Sequence, residues 1–300
     1  MRLVVTGANG AVGRAILRGA RFHRPAPLEV VAAVRSDRAA AALGPLVAPT
    51  AVVARVSYDD AASLGAAFHG ASAVIHLAGV LVERPGSSYE AANVETTHRV
   101  ADAARRSRVG KLVFVSAVGA DATSANRYWQ TKGQAERLVS ASAIPHTVLR
   151  VPMLLGHGTE AAAALRRRLG RRVVPLLDGG RTLQQPLDVD DLARAAIAAC
   201  HPGIAENCSL ELAGPVSLPD RAIVERGARL SGRRIRIVSV PTPPVRLALS
   251  ILRRVAARGV SPDVLEVLTT DTRVDPAAAA RELGIALTGL DDMIRHSLAS

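Results

Sequence analysis

The stretch Val4-Val5-Thr6-Gly7-Ala8-Asn9-Gly10-Ala11-Val12-Gly13 constrains the fold more than any other, because three glycines stand between a short apolar strand and an Ala/Ile/Leu-rich helical pattern. In that context Gly7 suits a tight turn off the strand, Gly10 lets backbone N–H groups close on a pyrophosphate, and Gly13 lets the helix pack closely on the sheet. The helix N-terminus would meet the phosphate with unpaired N–H groups and the positive end of its dipole. Asn9 and Val12 lie in the same turn and complete the expected contact set. The spacing is G-x-x-G-x-x-G, and it is informative because it follows a strand and opens a helix.

The rest of the first half continues that alternation. Residues 28–34, 51–56, 73–77, 111–116 and 146–151 read as apolar β-rich runs, with helical patterns at 61–68, from 89 to about 106, and from 128 to 140. Strands apolar on both faces suit a parallel sheet covered by helices, and the alternation predicts a doubly wound α/β fold. Beyond Val151, Pro and Gly break the chain into shorter pieces, as expected of a smaller α/β lobe that covers a ligand. The expected division is residues 1–151 for the nucleotide and 152–300 for the substrate, with some later segments returning to the first domain. In that second part residues 210–212 and 234–240 read as strands, and helices are expected near Leu218, Val245, Pro276 and Leu290 and from Asp190.

Composition narrows the function classes. Hydrophobic residues make up 49% and charged residues 21%, as in a globular protein, while aromatics at 2% argue against stacking platforms for single-stranded nucleic acid. The formal charge of +12 comes with no nucleic-acid reader motif, so no nucleic-acid partner is expected. Cys200 and Cys208 have neither metal-ligand nor disulfide-framework spacing; no metal is expected, and a reducing, cytoplasmic setting is. A strand that begins at residue 2 leaves no room for a leader, and no apolar run reaches a membrane-spanning length. The segment 245–257 alternates Leu, Ile and Val with Arg246, Arg253 and Arg254; such a stripe is usually a core-facing amphipathic helix, with peripheral or partner contact as the alternative.

Two features address the chemistry. At the end of the second strand, where an acid would bind the adenosine ribose and an Arg would accommodate a 2′-phosphate, the chain has Val34-Arg35-Ser36. Arg35, with Ser36 and with Arg14 or Arg38 in support, favours NADP(H); Asp37 is a competing ribose ligand, and NAD(H) is the alternative. Tyr128 and Lys132 are four apart on an expected helix and share a face. An ammonium near a phenol stabilises the phenolate and draws its pKa toward the working range of an acid/base catalyst. Of 38 basic residues only Lys111 and Lys132 are lysine, so a compact cation is kept at this position in a chain that otherwise uses Arg.

These motifs, with His76-Leu77-Ala78-Gly79, Asn93-Val94-Glu95-Thr96-Thr97, Phe114-Val115-Ser116 and Tyr128-Trp129-Gln130-Thr131-Lys132, resemble the short-chain dehydrogenase/reductase superfamily. In the second half, residues 184–191, 212–215, 268–271 and 283–285 resemble atypical extended members. These include NAD(P)H-binding proteins similar to the nucleotide-binding accessory subunit of respiratory complex I and, more distantly, NmrA-like proteins. The resemblance implies that Gly7, Gly10 and Gly13 hold the pyrophosphate and that Ala78 and Gly79 line the adenosine side. It implies that Asn93 braces the fourth helix, Lys132 binds the nicotinamide ribose and Tyr128 acts as acid/base. Two departures stand out: Ser57-Tyr58 where many relatives have Asp and an apolar residue, and Val118 where extended members commonly carry the hydroxyl partner of the Tyr, a role that Ser116 takes or that is left without a hydroxyl. The implied activity is hydride transfer between NAD(P)(H) and a small carbonyl, alcohol or conjugated substrate. A nucleotide-sugar epimerase or dehydratase and a non-catalytic redox sensor or assembly protein are the alternatives.

Overall fold

The computed structural model describes residues 1–21, 28–46, 51–77, 79–255 and 261–299. Its first half runs β1 (Arg2–Thr6), α1 (Ala11–Arg21), β2 (Glu29–Val34), α2 (Asp37–Ala41), β3 (Ala51–Arg55), α3 (Ala61–Phe68), β4 (Ala73–His76), α4 (Thr96–Arg106), β5 (Lys111–Ala117), α5 (Arg127–Ser140) and β6 (His146–Val151). The second half runs β7 (Leu154–Leu155), α6 (Glu160–Leu169), β8 (Val173–Leu177), β9 (Leu183–Gln184), β10 (Leu187–Asp188), α7 (Val189–Ala198), β11 (Cys208–Glu211), β12 (Leu218–Pro219), α8 (Asp220–Leu230), β13 (Arg236–Val240), α9 (Thr242–Val255), α10 (Pro262–Thr269), α11 (Ala277–Glu282) and α12 (Leu290–Leu298).

Seven strands form one parallel sheet in the order β11-β6-β5-β4-β1-β2-β3, the doubly wound arrangement read from the sequence. Side chains alternate between its two faces. Leu3, Val5, Val30, Ala32, Ala73 and Ile75 enter one core with α1 and α7, while Val4, Val31, Val74, Leu112 and Phe114 enter the other with α3, α4 and α5. This is why the strands read as unbroken apolar runs. The chain leaves β1 toward β2 and β3, then returns to place β4 on the other side of β1. The loops after β1 and β4 therefore diverge, and a crevice opens at the carboxyl ends of the strands.

Several pieces differ from the sequence reading. The helical pattern from 89 begins as a π-helical turn, Glu90–Glu95, in which the Thr96 hydroxyl donates to Ala91 O at 2.8 Å; α4 starts only after it. Helix α6, unexpected between Gly158 and Gly170, is capped by Thr159, whose Oγ1 accepts from Ala162 N at 3.1 Å. Helix α10 is likewise new; Ser261 Oγ caps it, accepting from Val264 N at 3.3 Å. Finally, in the described part of α9, from Thr242 to Leu249, no side chain is fully buried and Leu247 is 63% exposed, while the side chains of residues 250–255 lie outside those described. Residues 256 and 257 of that stretch lie outside the described residues. A third apolar cluster, including Leu155, Leu165, Val174, Ile223 and Ile294, joins α6, α8 and α12 beside the main sheet. Among the described residues no helix is long and apolar enough to cross a membrane.

Candidate functional site

The turn between β1 and α1 is built from backbone. Gly7 has a φ of +71°, a left-handed conformation that glycine adopts without a Cβ penalty, and its carbonyl accepts from Gly10 N at 3.0 Å. A Cβ on Gly10 would meet only Gly7 O, at 3.3 Å, so the far side of this residue is open for a ligand to approach. At Gly13 a Cβ would lie 2.4 Å from Ala8 O. The close approach that Gly13 permits is thus to the turn after β1, not to the sheet itself. Asn9 is exposed at the tip of the turn, and Val12 packs half-buried against the core of the α1 face. A cradle with an open glycine face at a helix N-terminus fits a dinucleotide pyrophosphate.

Arg35 is exposed at the end of β2, on the rim of a cavity of about 270 Å³ also lined by Ser57, Tyr58, Glu95 and Arg99. Two of its sequence neighbours are otherwise engaged. Ser36 Oγ caps α2, accepting from Ala39 N at 3.2 Å, and Asp37 pairs with Arg55 at 3.1 Å on the surface. Arg35 is the basic group that the end of β2 brings to this rim, with Arg99 from α4 also lining the cavity. Arg14 reaches toward Gly158, whose Cβ would lie 3.7 Å from its guanidinium nitrogen.

From this end a buried polar chain crosses the sheet. Tyr58 stands beside the Thr6 hydroxyl, and burial raises its phenol pKa above the usual tyrosine value. Thr6 Oγ1 lies 2.7 Å from His76 Nδ1, and His76 Nε2 lies 3.1 Å from Thr97 Oγ1. The Thr97 hydroxyl gives its own proton to Asn93 O at 2.6 Å, so it accepts from His76 Nε2–H, and Nδ1 accepts from Thr6. Burial, helped by the Lys132 charge, lowers the His76 pKa to about 3 and keeps the ring neutral. Asn93, in the π-helical turn, accepts from Val80 N at 3.0 Å and donates to Thr131 Oγ1 at 3.0 Å. It braces the loop after β4 to α5, a different task from bracing the fourth helix. A Cβ on Gly79 would lie 2.9 Å from Asn93 Oδ1, which leaves no room for a side chain there. Ala78 lies outside the described residues.

At the other end, Asn126 caps α5, its Oδ1 accepting from Tyr128 N at 3.1 Å, and so starts the helix one residue before Tyr128. Lys132 follows one turn later, nearly fully buried. Its Nζ donates to Val115 O at 2.8 Å and lies 4.3 Å from the centre of the Phe114 ring. Burial lowers its pKa to about 8 against the opposing pull of Glu136, which Arg150 holds with a 2.6 Å ion pair. Tyr128 departs from expectation: burial, with Tyr89 beside it, pushes its phenol above the usual tyrosine range. Lys132 is directed at the Val115 carbonyl and does not draw that phenol down. Ser116, on the same face of β5 as Phe114, is buried, and its Oγ has no hydrogen-bond partner among the described residues. Val118, two residues on, has no hydroxyl to offer.

Sequence reasoning missed Tyr89 and the N-terminus of α10. Tyr89 is fully buried, donates to Leu81 O at 2.8 Å, and sets its ring 6.0 Å from that of Tyr128, tilted by 56°. Asn126 Nδ2 donates to Asp263 O and to Glu266 Oε2, each at 3.0 Å, so α10 is fastened over the start of α5. A usable signal was present: the chain has three tyrosines, of which Tyr58 lines the cavity beside Arg35 and Tyr89 packs against Tyr128. Away from it, donor atoms of Asp188, Asp190 and His296 lie within 4.8 Å of one another, but these groups are occupied by protein. Asp188 caps α7 and faces His296 at 3.0 Å, and Asp190 pairs with Arg18 at 2.9 Å.

Comparison with known proteins bears on the family and the fold. The chain is 27% identical over 254 residues to NADH dehydrogenase (ubiquinone) 1 alpha subcomplex subunit 9 of Arabidopsis thaliana, covering 80% of this chain and 61% of that protein. It is 24% identical over 237 residues to a ceramide reductase of Caulobacter vibrioides, covering 76% and 74%. The chain thus spans about three fifths of the length of the plant subunit. In fold it is similar to an NADPH-dependent quinone oxidoreductase of Escherichia coli solved with NADPH, at a TM-score of 0.74 and 21% identity over 99% of both chains. It is equally similar to a UDP-glucuronic acid 4-epimerase of Bacillus cereus solved with UDP-glucuronic acid and NAD, at a TM-score of 0.77 and 16% identity over 100% of this chain and 98% of that one. With residues 7–199 matching its defining pattern, the chain belongs to the NAD(P)H-binding family, and its fold is that of nicotinamide-dependent oxidoreductases and epimerases.

Proposed function

We propose that this protein is an NADP(H)-dependent oxidoreductase acting on a small carbonyl or conjugated substrate, with Tyr128 as the proton donor. Residues 1–151 hold the nucleotide, and residues 152–300 supply most of the substrate side. What supports the reading is that α5 carries Tyr128 and Lys132 one turn apart and anchors Lys132 Nζ on Val115 O of β5, next in sequence to Ser116, whose buried hydroxyl has no hydrogen-bond partner among the described residues.

Gly7, Asn9, Gly10, Val12 and Gly13 hold the pyrophosphate, and Gly79, kept bare by Asn93, allows close approach beside β4. Arg35 meets the 2′-phosphate and gives NADP(H) its preference over NAD(H). When bound, the nucleotide supplies or receives hydride at its nicotinamide C4. Lys132, a cation below pH about 8, hydrogen-bonds the nicotinamide ribose and holds positive charge near the reacting oxygen. Tyr128 keeps its proton through the neutral range, which suits a donor to the oxygen of a carbonyl being reduced. Ser116, with a buried O–H to place, orients that oxygen or relays the proton.

An epimerase reading uses the same residues. The fold likeness to the Bacillus cereus enzyme supports it as much as the likeness to the quinone oxidoreductase supports reduction. What favours reduction is Arg35, since the epimerase structure holds NAD. The test is incubation of the purified protein with NADPH carrying deuterium at C4 and a panel of quinones, enones, ketones and aldehydes. Label in a reduced product supports the reading. Nucleotide binding without transfer to any member, or label washing through a sugar nucleotide, sinks it.

A further inference from the structure

Asn126 is buried where the chain enters α5, and its carboxamide uses all four of its hydrogen-bonding positions. The oxygen accepts from Tyr128 N at 3.1 Å and from Trp129 N at 3.4 Å, which caps the helix that carries Tyr128. The nitrogen donates to Asp263 O and to Glu266 Oε2. With backbone N–H groups on one side and two oxygens on the other, only this orientation of the amide satisfies its neighbours. Arg127 N adds a second tie to α10, donating to Asp263 Oδ1 at 3.2 Å. The far end of α10 is tied to the second half of the chain. Gln184 Nε2 of β9 donates to Leu268 O at 3.3 Å, and just beyond α10 Asp271 Oδ1 accepts from Leu183 N at 2.8 Å. Helix α10 thus runs as a strap from the start of α5 to β9, with Val264 and Leu265 as its buried residues. Its capping residue, Ser261, stands beside the phenol of Tyr89, whose ring packs on Tyr128.

We propose that Asn126 is a positioning residue for the substrate: one end of its amide seats Tyr128, the other seats α10, and α10 is thereby fixed as the substrate-side wall beside the phenol. The proposal rests on the reading of Tyr128 as the proton donor. Capping alone would not call for an amide, since Ser, Thr or Asp cap a helix comparably well. Asn126 spends its two donors on residues 137 and 140 positions away instead. Because the same side chain sets both the first turn of α5 and the first turn of α10, the spacing between proton donor and wall is held constant, and a carbonyl oxygen within reach of the phenol meets α10 at a fixed depth. Asn126 touches neither substrate nor nucleotide in this arrangement and acts through α10. Loosening α10 therefore weakens substrate binding and spares the nucleotide, whose cradle lies between β1 and α1.

The experiment compares the full-length protein with three variants by hydrogen–deuterium exchange of the α10 amides and by steady-state kinetics with a substrate accepted from the carbonyl panel. Asn126→Asp keeps a cap but sets a carboxylate against Asp263 O and Glu266, and Asn126→Ser keeps a cap without the added charge. Asn126→Asp combined with Glu266→Gln restores a donor and acceptor pair in the reverse direction. Exchange across 264–269 should speed roughly tenfold or more in both single variants and return toward wild type in the double variant. KM should rise roughly tenfold in the single variants with a smaller change in kcat, recover in the double variant, and leave NADPH affinity by calorimetry unchanged. Wild-type exchange in both single variants overturns the proposal, and this arm needs no turnover. Faster exchange with KM unmoved, or a double variant as impaired as Asn126→Asp, overturns it as well. If exchange and KM behave as expected while Tyr128→Phe transfers hydride at the wild-type rate, only the proton-donor reading fails and α10 stands as the wall.

Discussion

The two ends of the crevice are made of different material. At the pyrophosphate end the working groups are backbone: a left-handed Gly7, an open Gly10, and a Gly13 pressed on Ala8. At the α5 end they are side chains: Lys132 held by the Val115 carbonyl, Tyr128 packed beside Tyr89, and Ser116, whose hydroxyl has no hydrogen-bond partner among the described residues. A backbone cradle tolerates no change of residue but asks little of its surroundings. A side-chain site tolerates conservative change but depends on its supporting contacts. The family resemblance is therefore carried by the first end and the chemistry by the second, and only the second can distinguish a reductase from a binder.

The largest expected effect is at Gly13. Gly13→Val places a branched side chain where a Cβ already lies 2.4 Å from Ala8 O, and should lower stability by a few kcal/mol or prevent folding, read as a loss of cooperative melting. A stable variant would mean that α1 can shift away from the turn. Gly10→Val should leave the fold intact, because its Cβ meets only one protein atom, at 3.3 Å, yet weaken nucleotide affinity at least 100-fold by calorimetry. Retained affinity would reduce the cradle to an ordinary turn. Arg35→Ala should cost NADPH about tenfold or more in affinity and leave NADH unchanged, which breaks the assignment if both nucleotides weaken alike.

The smallest effect sharpens the α5 end. Because burial lowers the Lys132 pKa to about 8 and the Glu136 charge opposes that shift, turnover should fall as pH rises through about 8. Glu136→Gln should move this limb to lower pH by less than about one unit. The stability consequence has the opposite sign. Between about 8 and 10.5 the unfolded lysine binds more proton than the folded one, so stability rises slightly with pH in that window. A limb that stays in place in Glu136→Gln belongs to another group.

The difference between the two ends also explains what the sequence shows of them. Glycine spacing, strand alternation and the Arg35 position are local, so the doubly wound sheet and the cradle could be read directly. The Tyr128 and Lys132 pair was found for a reason that proves weaker than it looked. The other lysine, Lys111, is also buried and donates to backbone carbonyls, those of His201, at 3.1 Å, and Ile204. Lysine survives in this Arg-rich chain wherever a slim ammonium must reach a carbonyl, and scarcity alone does not mark a catalytic cation. Scarcity of tyrosine was the better signal, since Tyr58 lines the cavity beside Arg35 and Tyr89 packs on Tyr128. Contacts such as Asn93 to Thr131 or Asn126 to Glu266 join residues 38 and 140 positions apart, and no spacing rule reaches them. The capping serine of α10 and the exposed face of α9 likewise carry information only once neighbours are known.

One measurement tests the central claim most directly. Tyr128→Phe keeps the ring that packs on Tyr89 and removes only the phenolic proton. With an accepted substrate in hand, calorimetric NADPH affinity and transfer of deuterium from C4 are measured on the same preparation of this variant. The expected result is unchanged affinity with transfer slowed by roughly 10²- to 10⁴-fold, the scale of a positioned proton donor. Transfer at the wild-type rate would contradict it, and would leave the proton to be supplied by solvent or by the substrate.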